Sequence, residues 1–474
     1  MIVFNFSQKY QQQLFSSVVL LGLLALSTWP FEQFAQFHDS QRIVSTVLVA
    51  IALLISLLFI RVSVRTIWIT AAGFTWGLLA VFMSPLPLWS MLEFGLLFSV
   101  VLLCVTLIPK LSELQSKHLL YIFVIMQAFY AVHNLTDYTV IMITGAKLEP
   151  YSLCNGFSNT RFYGQFLTWT MPFTIGALAV NKNYPYRNAI AFLLMIEWGL
   201  EFLTLNRSFI VAMAATMPIV WWINRAQFKS YTKWLLLSAA GGFAIYILML
   251  HILPELLGID VSYAVKFSSG RDVLSSSGRV QLWLDAWHLM MSHQWLGAGP
   301  MMTALASVSK ISAHPHNYVL QLLAEWGIPF TLLIVGGATY GAVRFKTLIQ
   351  ESSTEAQLLA LPVVASLSAG AAAGLFDGLL VMPVSLIYMT LVLACCAGLW
   401  RTLTPDVERR KFPLWTMPFL ISPAIFVAAF AVMNWPHWSA GGSNPKPMSG
   451  HGYELKTNLN PRFWLTGQID VVKK

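Results

Sequence analysis

Two histidines bracket a proline in "ISAHPHNYVLQLLAEWGIPF" (311–330), immediately before an apolar run of helical character. A neutral imidazole can take a proton from an alcohol while its other ring nitrogen is oriented by a neighbour, so His314 and His316 are candidates for general-base work. Asn317 can cap the helix that follows, and Glu325 enters that helix about two turns later. A lone histidine at an interface is more often structural. Here a pair of ionisable rings and a carboxylate share one helix start, a concentration that bilayers penalise and function retains.

Three arginines stand in short polar blocks between apolar runs: Arg161 in "GFSNTRFYGQF" (156–166), Arg207 in "LNRS" (205–208) and Arg279 in "SSSGRVQLWLDAWHLMMSHQWLGAGP" (275–300). A guanidinium can grip two phosphate oxygens at once. In the third block Val280, Trp283, Leu284, Trp287, Met290 and Met291 recur at helical spacing, opposite Gln281, Asp285, His288 and Ser292. The spacing predicts a helix at the membrane surface near 279–292, with Ser276 or Ser277 as its cap. Arg279 then falls in the first turn, where unpaired N–H groups already favour an anion. The plainer alternative for Arg279 is an arginine that snorkels to lipid headgroups.

The elements that must hold these residues follow from composition. The chain has 474 residues, 57% hydrophobic and 10% charged, with a mean hydropathy of +0.65; these values describe a polytopic membrane protein, for which the lipid bilayer is the solvent. The net charge of +9 comes from small groups of basic residues at the ends of apolar runs, which act as topology signals and give no reading of nucleic-acid binding. Cys104, Cys395 and Cys396 lie in apolar runs and Cys154 stands alone in a loop; no disulfide framework or metal quartet is expected.

Thirteen apolar runs are long enough to span, near 13–30, 43–60, 67–83, 88–109, 119–141, 164–181, 188–204, 208–223, 234–253, 318–343, 356–376, 380–400 and 413–434. With the N terminus inside, alternate loops carry Arg61 and Arg65, Lys110 and Lys117, Lys182 and Arg187, Arg225 to Lys233, Arg344 and Lys346, and Arg401 to Lys411, as the positive-inside rule requires. The first run resembles a signal peptide, but the spans that follow favour a retained anchor. The expected organisation is a membrane bundle over 1–253, an external loop over 254–317, a second bundle over 318–434 and an external tail over 435–474. On this topology the three arginine blocks, the histidines and "FDG" (376–378) share the outer face.

The blocks "SGRVQLWLDAW", "QWLGAGP" and "HPHNYVLQLLAEWGIP", in that order, resemble the O-antigen ligase superfamily, which comprises lipopolysaccharide O-antigen ligases, O-antigen polymerases and bacterial protein O-oligosaccharyltransferases. The hallmark region is 275–335, and "GFSNTRFYGQFLTWTMP" and "LNRSF" look like the upstream blocks of such proteins. The resemblance implies an all-α, GT-C-like polytopic protein of the bacterial inner membrane, with about 12–13 spans and a large periplasmic loop carrying short helices. It implies transfer of a glycan from undecaprenyl diphosphate to an acceptor hydroxyl, with no nucleotide sugar, cofactor or metal. The acceptor would be lipid A-core, a growing polysaccharide, or Ser/Thr of a protein such as pilin. Arg207 and Arg279 match the phosphate-binding arginines of the family, with Arg161 as a third, and His316 before Asn317 matches its catalytic base. His314, Asn317 and Glu325 are supporting candidates. The thirteenth span and the 435–474 tail depart from the ligase pattern, and the large C-terminal domain of many protein-glycosylating members is absent.

A transporter or flippase of lipid-linked saccharides would also need arginines in a cavity, but it would usually show paired halves, and no clear internal repeat is present. It would also have little need of a histidine at the rim. Glu93, Glu197 and Glu201 fall within spans; the last two, one turn apart, could line a cavity or simply bond within the bundle. Asp377 reads most simply as part of an external turn, and "PRFW" (461–464) as a segment that could fold back over the loop.

Overall fold

The computed structural model describes residues 37–59, 61–107, 113–180, 186–269, 278–305, 307–309, 312–404, 408–411, 416–433, 453–455 and 471–473. Helices dominate, because a segment in lipid must satisfy its backbone hydrogen bonds internally. In order they are α1 (Phe37–Phe59), α2 (Val64–Phe82), α3 (Pro87–Leu107), α4 (Glu113–Thr144), α5 (Thr160–Val180), α6 (Arg187–Thr204) and α7 (Arg207–Ile223). Then come α8 (Phe228–Ile247), α9 (Leu253–Leu257), α10 (Ser262–Ser269), α11 (Arg279–Ser292), α12 (Tyr318–Gln350), α13 (Thr354–Ala373), α14 (Pro383–Leu403) and α15 (Met417–Met433). Two short antiparallel ribbons accompany them: β1 (Arg61–Ser63) with β2 (Arg409–Lys411), and β3 (Tyr453–Leu455) with β4 (Val471–Lys473).

Among the described residues eight helical stretches are long and apolar enough to cross a membrane: those in α1, α2, α3, α4, the continuous run from 225 to 257, α12, α13 and α14. The chain is an all-α polytopic membrane protein. Helices α7 and α15 are apolar but have 17 residues each, about 25 Å of rise. The expected spans over 164–181 and 188–204 are helices α5 and α6, but both are more polar than the eight. The reason is position: every residue of α5 from Tyr163 to Ala179 is buried by other protein, so its threonines and Gln165 never meet lipid. The first expected span (13–30) and "PRFW" lie outside the described residues.

Helix α5 packs against α13, which also covers α7; α6 packs against α8, and α15 against α1 and α3. Helix α2 faces outward, with Trp68 and Phe82 each 71% exposed, as suits a lipid-facing surface.

The expected surface helix is α11, over Arg279–Ser292, and it packs on α12. Its cap differs from the expectation: Ser276 and Ser277 lie outside the described residues, and the N-cap position is Gly278, at φ 77° with no side-chain cap bond. Glycine suits this left-handed backbone better than serine. Helix α12 is kinked at Gly327 (φ 80°, ψ 167°), where a Cβ would lie 2.1 Å from the Trp295 carbonyl oxygen. The loop after α11 satisfies the groups around the kink: Ala298 and Gly299 N–H donate to the carbonyls of Ala324 and Glu325 at 2.9 and 3.1 Å, and Ile328 N–H to that of Gln294 at 2.8 Å.

Candidate functional site

Each of the three arginines stands in the first turn of its helix: Arg161 in α5, Arg207 in α7 and Arg279 in α11. Helix starts expose unpaired N–H groups and the positive end of the dipole. The turn that delivers Arg207 is tight, since Leu205 ends α6 in the left-handed region (φ 46°) and Asn206 caps α7 by accepting from Phe209 N–H at 3.4 Å. Asn159 performs the same service for α5, accepting from the Arg161 N–H at 2.9 Å.

Asp377 joins these helix starts. It lies in the turn between α13 and α14, as expected of "FDG", but its side chain points inward and the residue is only 4% exposed. Its Oδ1 accepts from Gln165 Nε2 at 2.9 Å and from the Gly378 N–H at 2.7 Å; its Oδ2 accepts from Ser208 Oγ at 3.1 Å. Gln165 lies one turn beyond Arg161 on α5, and Ser208 follows Arg207 on α7. One carboxylate therefore ties two arginine-bearing helices to the 374–382 turn. Sequence reasoning passed over this role, since a short "FDG" between two apolar runs carries no sign of burial.

His316 completes the cluster. Its Nδ1 is 3.6 Å from Asp377 Oδ1, beyond hydrogen-bond length, and Nδ1 has no hydrogen-bond partner. The contact is electrostatic in this state, and catalytic bonds commonly tighten only when substrate binds. The ring is 16% exposed, so it is open to an incoming group. The His316 backbone is left-handed (φ 52°), a conformation that costs free energy in a non-glycine residue and clusters at functional sites. It is held from three sides. The His316 N–H donates to His314 Nδ1 at 3.3 Å, Trp283 Nε1 of α11 donates to the Pro315 carbonyl at 3.1 Å, and Asn317 caps α12 by accepting from Val319 and Leu320 N–H at 3.0 and 3.1 Å.

The two histidine rings sit T-shaped, centroids 4.1 Å apart. His314 is 6% exposed, which favours a bracing role over one at the rim. It lies against Gly378, where a Cβ would come within 2.3 Å of its ring. Glu325 stands apart from this group: its Oε1 accepts from Thr303 N–H at 3.1 Å and Thr303 Oγ1 at 2.6 Å, bracing the loop after α11.

The electrostatics agree with this geometry. Burial holds the Arg279 guanidinium below its ordinary pKa, and the positive Arg161 and Arg207 push the same way, while Asp377 opposes them. Arg161, Arg207 and Asp377 therefore all lie within electrostatic reach of Arg279. Burial raises Asp377, but the neighbouring His316, the Gly378 N–H and the charge of Arg161 more than offset it, so the carboxyl lies below its usual range. Three cations gathered around one carboxylate leave an excess of positive charge, the arrangement that suits a polyanion. Among the described residues no group of three or more His, Cys, Asp or Glu side chains is arranged to hold a metal ion, and the four cysteines are free.

Residues 190–335 match the family model described as O-antigen ligase. The matched region contains Arg207, Arg279, His314, His316, Asn317 and Glu325; Arg161 and Asp377 lie on either side of it. No curated protein matches the chain.

Proposed function

We propose, since the chain belongs to the O-antigen ligase superfamily, that His316 is the general base and Arg161, Arg207 and Arg279 the diphosphate clamp of a glycan transfer from a polyprenyl diphosphate, of the undecaprenyl class, to an acceptor hydroxyl. The family makes the chain a membrane enzyme of the ligase or polymerase type; donor, acceptor and the periplasmic face of the inner membrane are part of this proposal. The observation that carries it is the meeting of His316 with the electrostatically coupled Arg161, Arg207, Arg279 and Asp377.

A diphosphate leaves readily once its charge is neutralised, so guanidinium groups at helix starts perform the task that a metal ion performs elsewhere. The acceptor oxygen attacks the anomeric carbon in line with the departing bond. His316 takes the hydroxyl proton, most simply on Nε2, because Nδ1 faces Asp377. The C–O bond to the diphosphate breaks with both electrons going to the diphosphate oxygen. Asp377 orients the ring and stabilises the imidazolium that forms. Gln165 and Ser208 hold Asp377 and set the distance between base and clamp.

The test is transfer in purified membranes with a defined polyprenyl-diphosphate-linked glycan and, in separate arms, core lipid, polysaccharide and protein acceptors. Transfer to one acceptor that depends on His316 and Arg279 supports the reading. Full transfer by a well-inserted His316→Ala protein removes the base from it.

A further inference from the structure

Helix α1 opens with the consecutive polar residues His38, Asp39, Ser40, Gln41 and Arg42, none of them more than 4% exposed. The apolar run near 43–60 places the start of its span after all of them. Burying such a series costs free energy unless the polar groups are held, so what they hold in return is informative. Their partners are the two segments that carry Arg161 and Asp377.

The His38 N–H, a first-turn donor with no partner inside its own helix, donates to Ser158 Oγ at 3.2 Å, and Gln41 Nε2 donates to the Gly156 carbonyl at 2.7 Å. The His38 ring lies 5.7 Å, centroid to centroid, from that of Phe162. These contacts bracket Asn159, which accepts from the Arg161 N–H, and Arg161 itself. On the same turn of α1 the Arg42 guanidinium donates to the Val381 carbonyl. Val381 closes a turn on Gly378: the Val381 and Met382 N–H groups donate to the Gly378 carbonyl at 3.0 and 3.3 Å, and the Gly378 N–H donates to Asp377 Oδ1 at 2.7 Å. The tethers answer a physical need. Arg161 and Arg279 repel one another, so an empty clamp tends to spread, and contacts that hold its parts in place lower the cost of closing it on a diphosphate.

We propose that Gln41 and Arg42 are positioning residues of the transfer site, Gln41 acting on the clamp through the 156–161 segment that delivers Arg161, and Arg42 acting on the base through the 377–382 turn that presents Asp377 to His316. Both are buried and act through other residues rather than on substrate. Because they are neighbours on one helical turn, α1 fixes the distance between clamp and base by a route separate from the Gln165–Asp377 hydrogen bond. The proposal rests on the reading of Arg161 as part of the diphosphate clamp and of Asp377 as the partner of the base.

The experiment is a pair of double-mutant cycles on the full-length protein in nanodiscs, reading polyprenyl diphosphate affinity and glycan transfer per folded protein. Gln41→Met, which keeps the length but removes the donor, should weaken diphosphate binding by about threefold to tenfold, and by less than about twofold where Arg161 is already alanine. Arg42→Met should lower transfer by about tenfold at near-normal diphosphate affinity, and by less than about twofold where Asp377 is already asparagine. Arg42→Lys, which keeps a charged donor, should restore most of the transfer. A merely structural role for α1 gives equal fold losses in both backgrounds of each cycle; that result, or single variants with unchanged affinity and transfer, overturns the proposal. Gln41→Met alters no charge and carries the test alone if Arg42→Met does not insert. Unchanged affinity in Arg161→Ala together with unchanged transfer in Asp377→Asn, measured in the same series, instead overturns the reading of the site, and this proposal with it.

Discussion

His316 Nδ1 faces Asp377 Oδ1 across 3.6 Å, one residue held at the start of α12 and the other in the turn between α13 and α14. The pairing depends on backbone placement as much as on side chains, because the Tyr318 N–H donates to the Gly374 carbonyl at 2.9 Å and fixes the two segments together. The same carboxylate accepts from Gln165 and Ser208. A displacement of either arginine-bearing helix is therefore felt at His316, the proposed base, and catalysis is in general sensitive to such displacements.

If His316 is the base, His316→Ala should lower transfer by about 10²- to 10⁴-fold with membrane insertion and donor binding kept. His314→Ala should lose less, because it removes the acceptor of the His316 N–H and a packed ring but no reacting atom. Transfer assays and donor-binding titrations on the same protein preparations check both. A His314 variant more damaged than the His316 variant would reverse the two roles.

Arg279→Ala should reduce transfer by about 10²- to 10³-fold, the usual effect of removing one stabiliser of a developing anion. Arg279→Lys should keep part of the activity, since it retains the charge but loses the two-pronged grip. Arg207→Ala should resemble Arg279→Ala. In each, affinity for a polyprenyl diphosphate should fall along with the rate, and unchanged affinity in well-inserted proteins would sink the assignment.

What the sequence made legible follows a physical rule. The apolar runs that fall on described residues, the periodicity of 279–292 and the histidines before a capping asparagine are local patterns, and each reappears as a helix or a helix start. Asp377 was not legible, because its importance comes from three neighbours distant in sequence, Gln165, Ser208 and His316. The cap of α11 was misread because serine is the common choice, whereas the chain enters that helix through a left-handed Gly278. Helices α5 and α6 were legible as helices but not as the polar interior, since hydropathy cannot tell lipid from protein as the surroundings.

Asp377→Asn should lower transfer by about 10- to 100-fold, the usual effect of losing a partner that orients a functional histidine. It should also change acid stability. The folded carboxyl lies below its usual range, so its ionised form contributes stability that is fully present above the unfolded value of about 3.9. That contribution is lost as pH falls through the lower folded value. The difference in melting temperature between wild type and Asp377→Asn should thus be constant above about pH 4 and shrink below it. A difference that grew on acidification would show that Asp377 is not held ionised.

Gly378→Ala tests whether the two rings act as one packed unit. A Cβ at 378 would stand 2.3 Å from Cε1 and 2.8 Å from Nε2 of His314, well inside contact distance. His314 cannot retreat freely, because it is buried and its ring lies 4.1 Å from that of His316. The displacement therefore passes to His316 and shifts its ring away from Asp377. Overpacking of this kind costs about 1–3 kcal/mol, which a bundle of this size can absorb without unfolding. The expected outcome is a folded, inserted protein with impaired transfer and near-normal affinity for the diphosphate, since the methyl group is added at the base rather than the clamp. Gly336→Ala on α12, where a Cβ would meet nothing within 4 Å, is the matched control and should leave transfer unchanged, with stability equal or slightly raised by the better helix former. Equal transfer by the two variants would mean that the His314 ring does not set the position of His316.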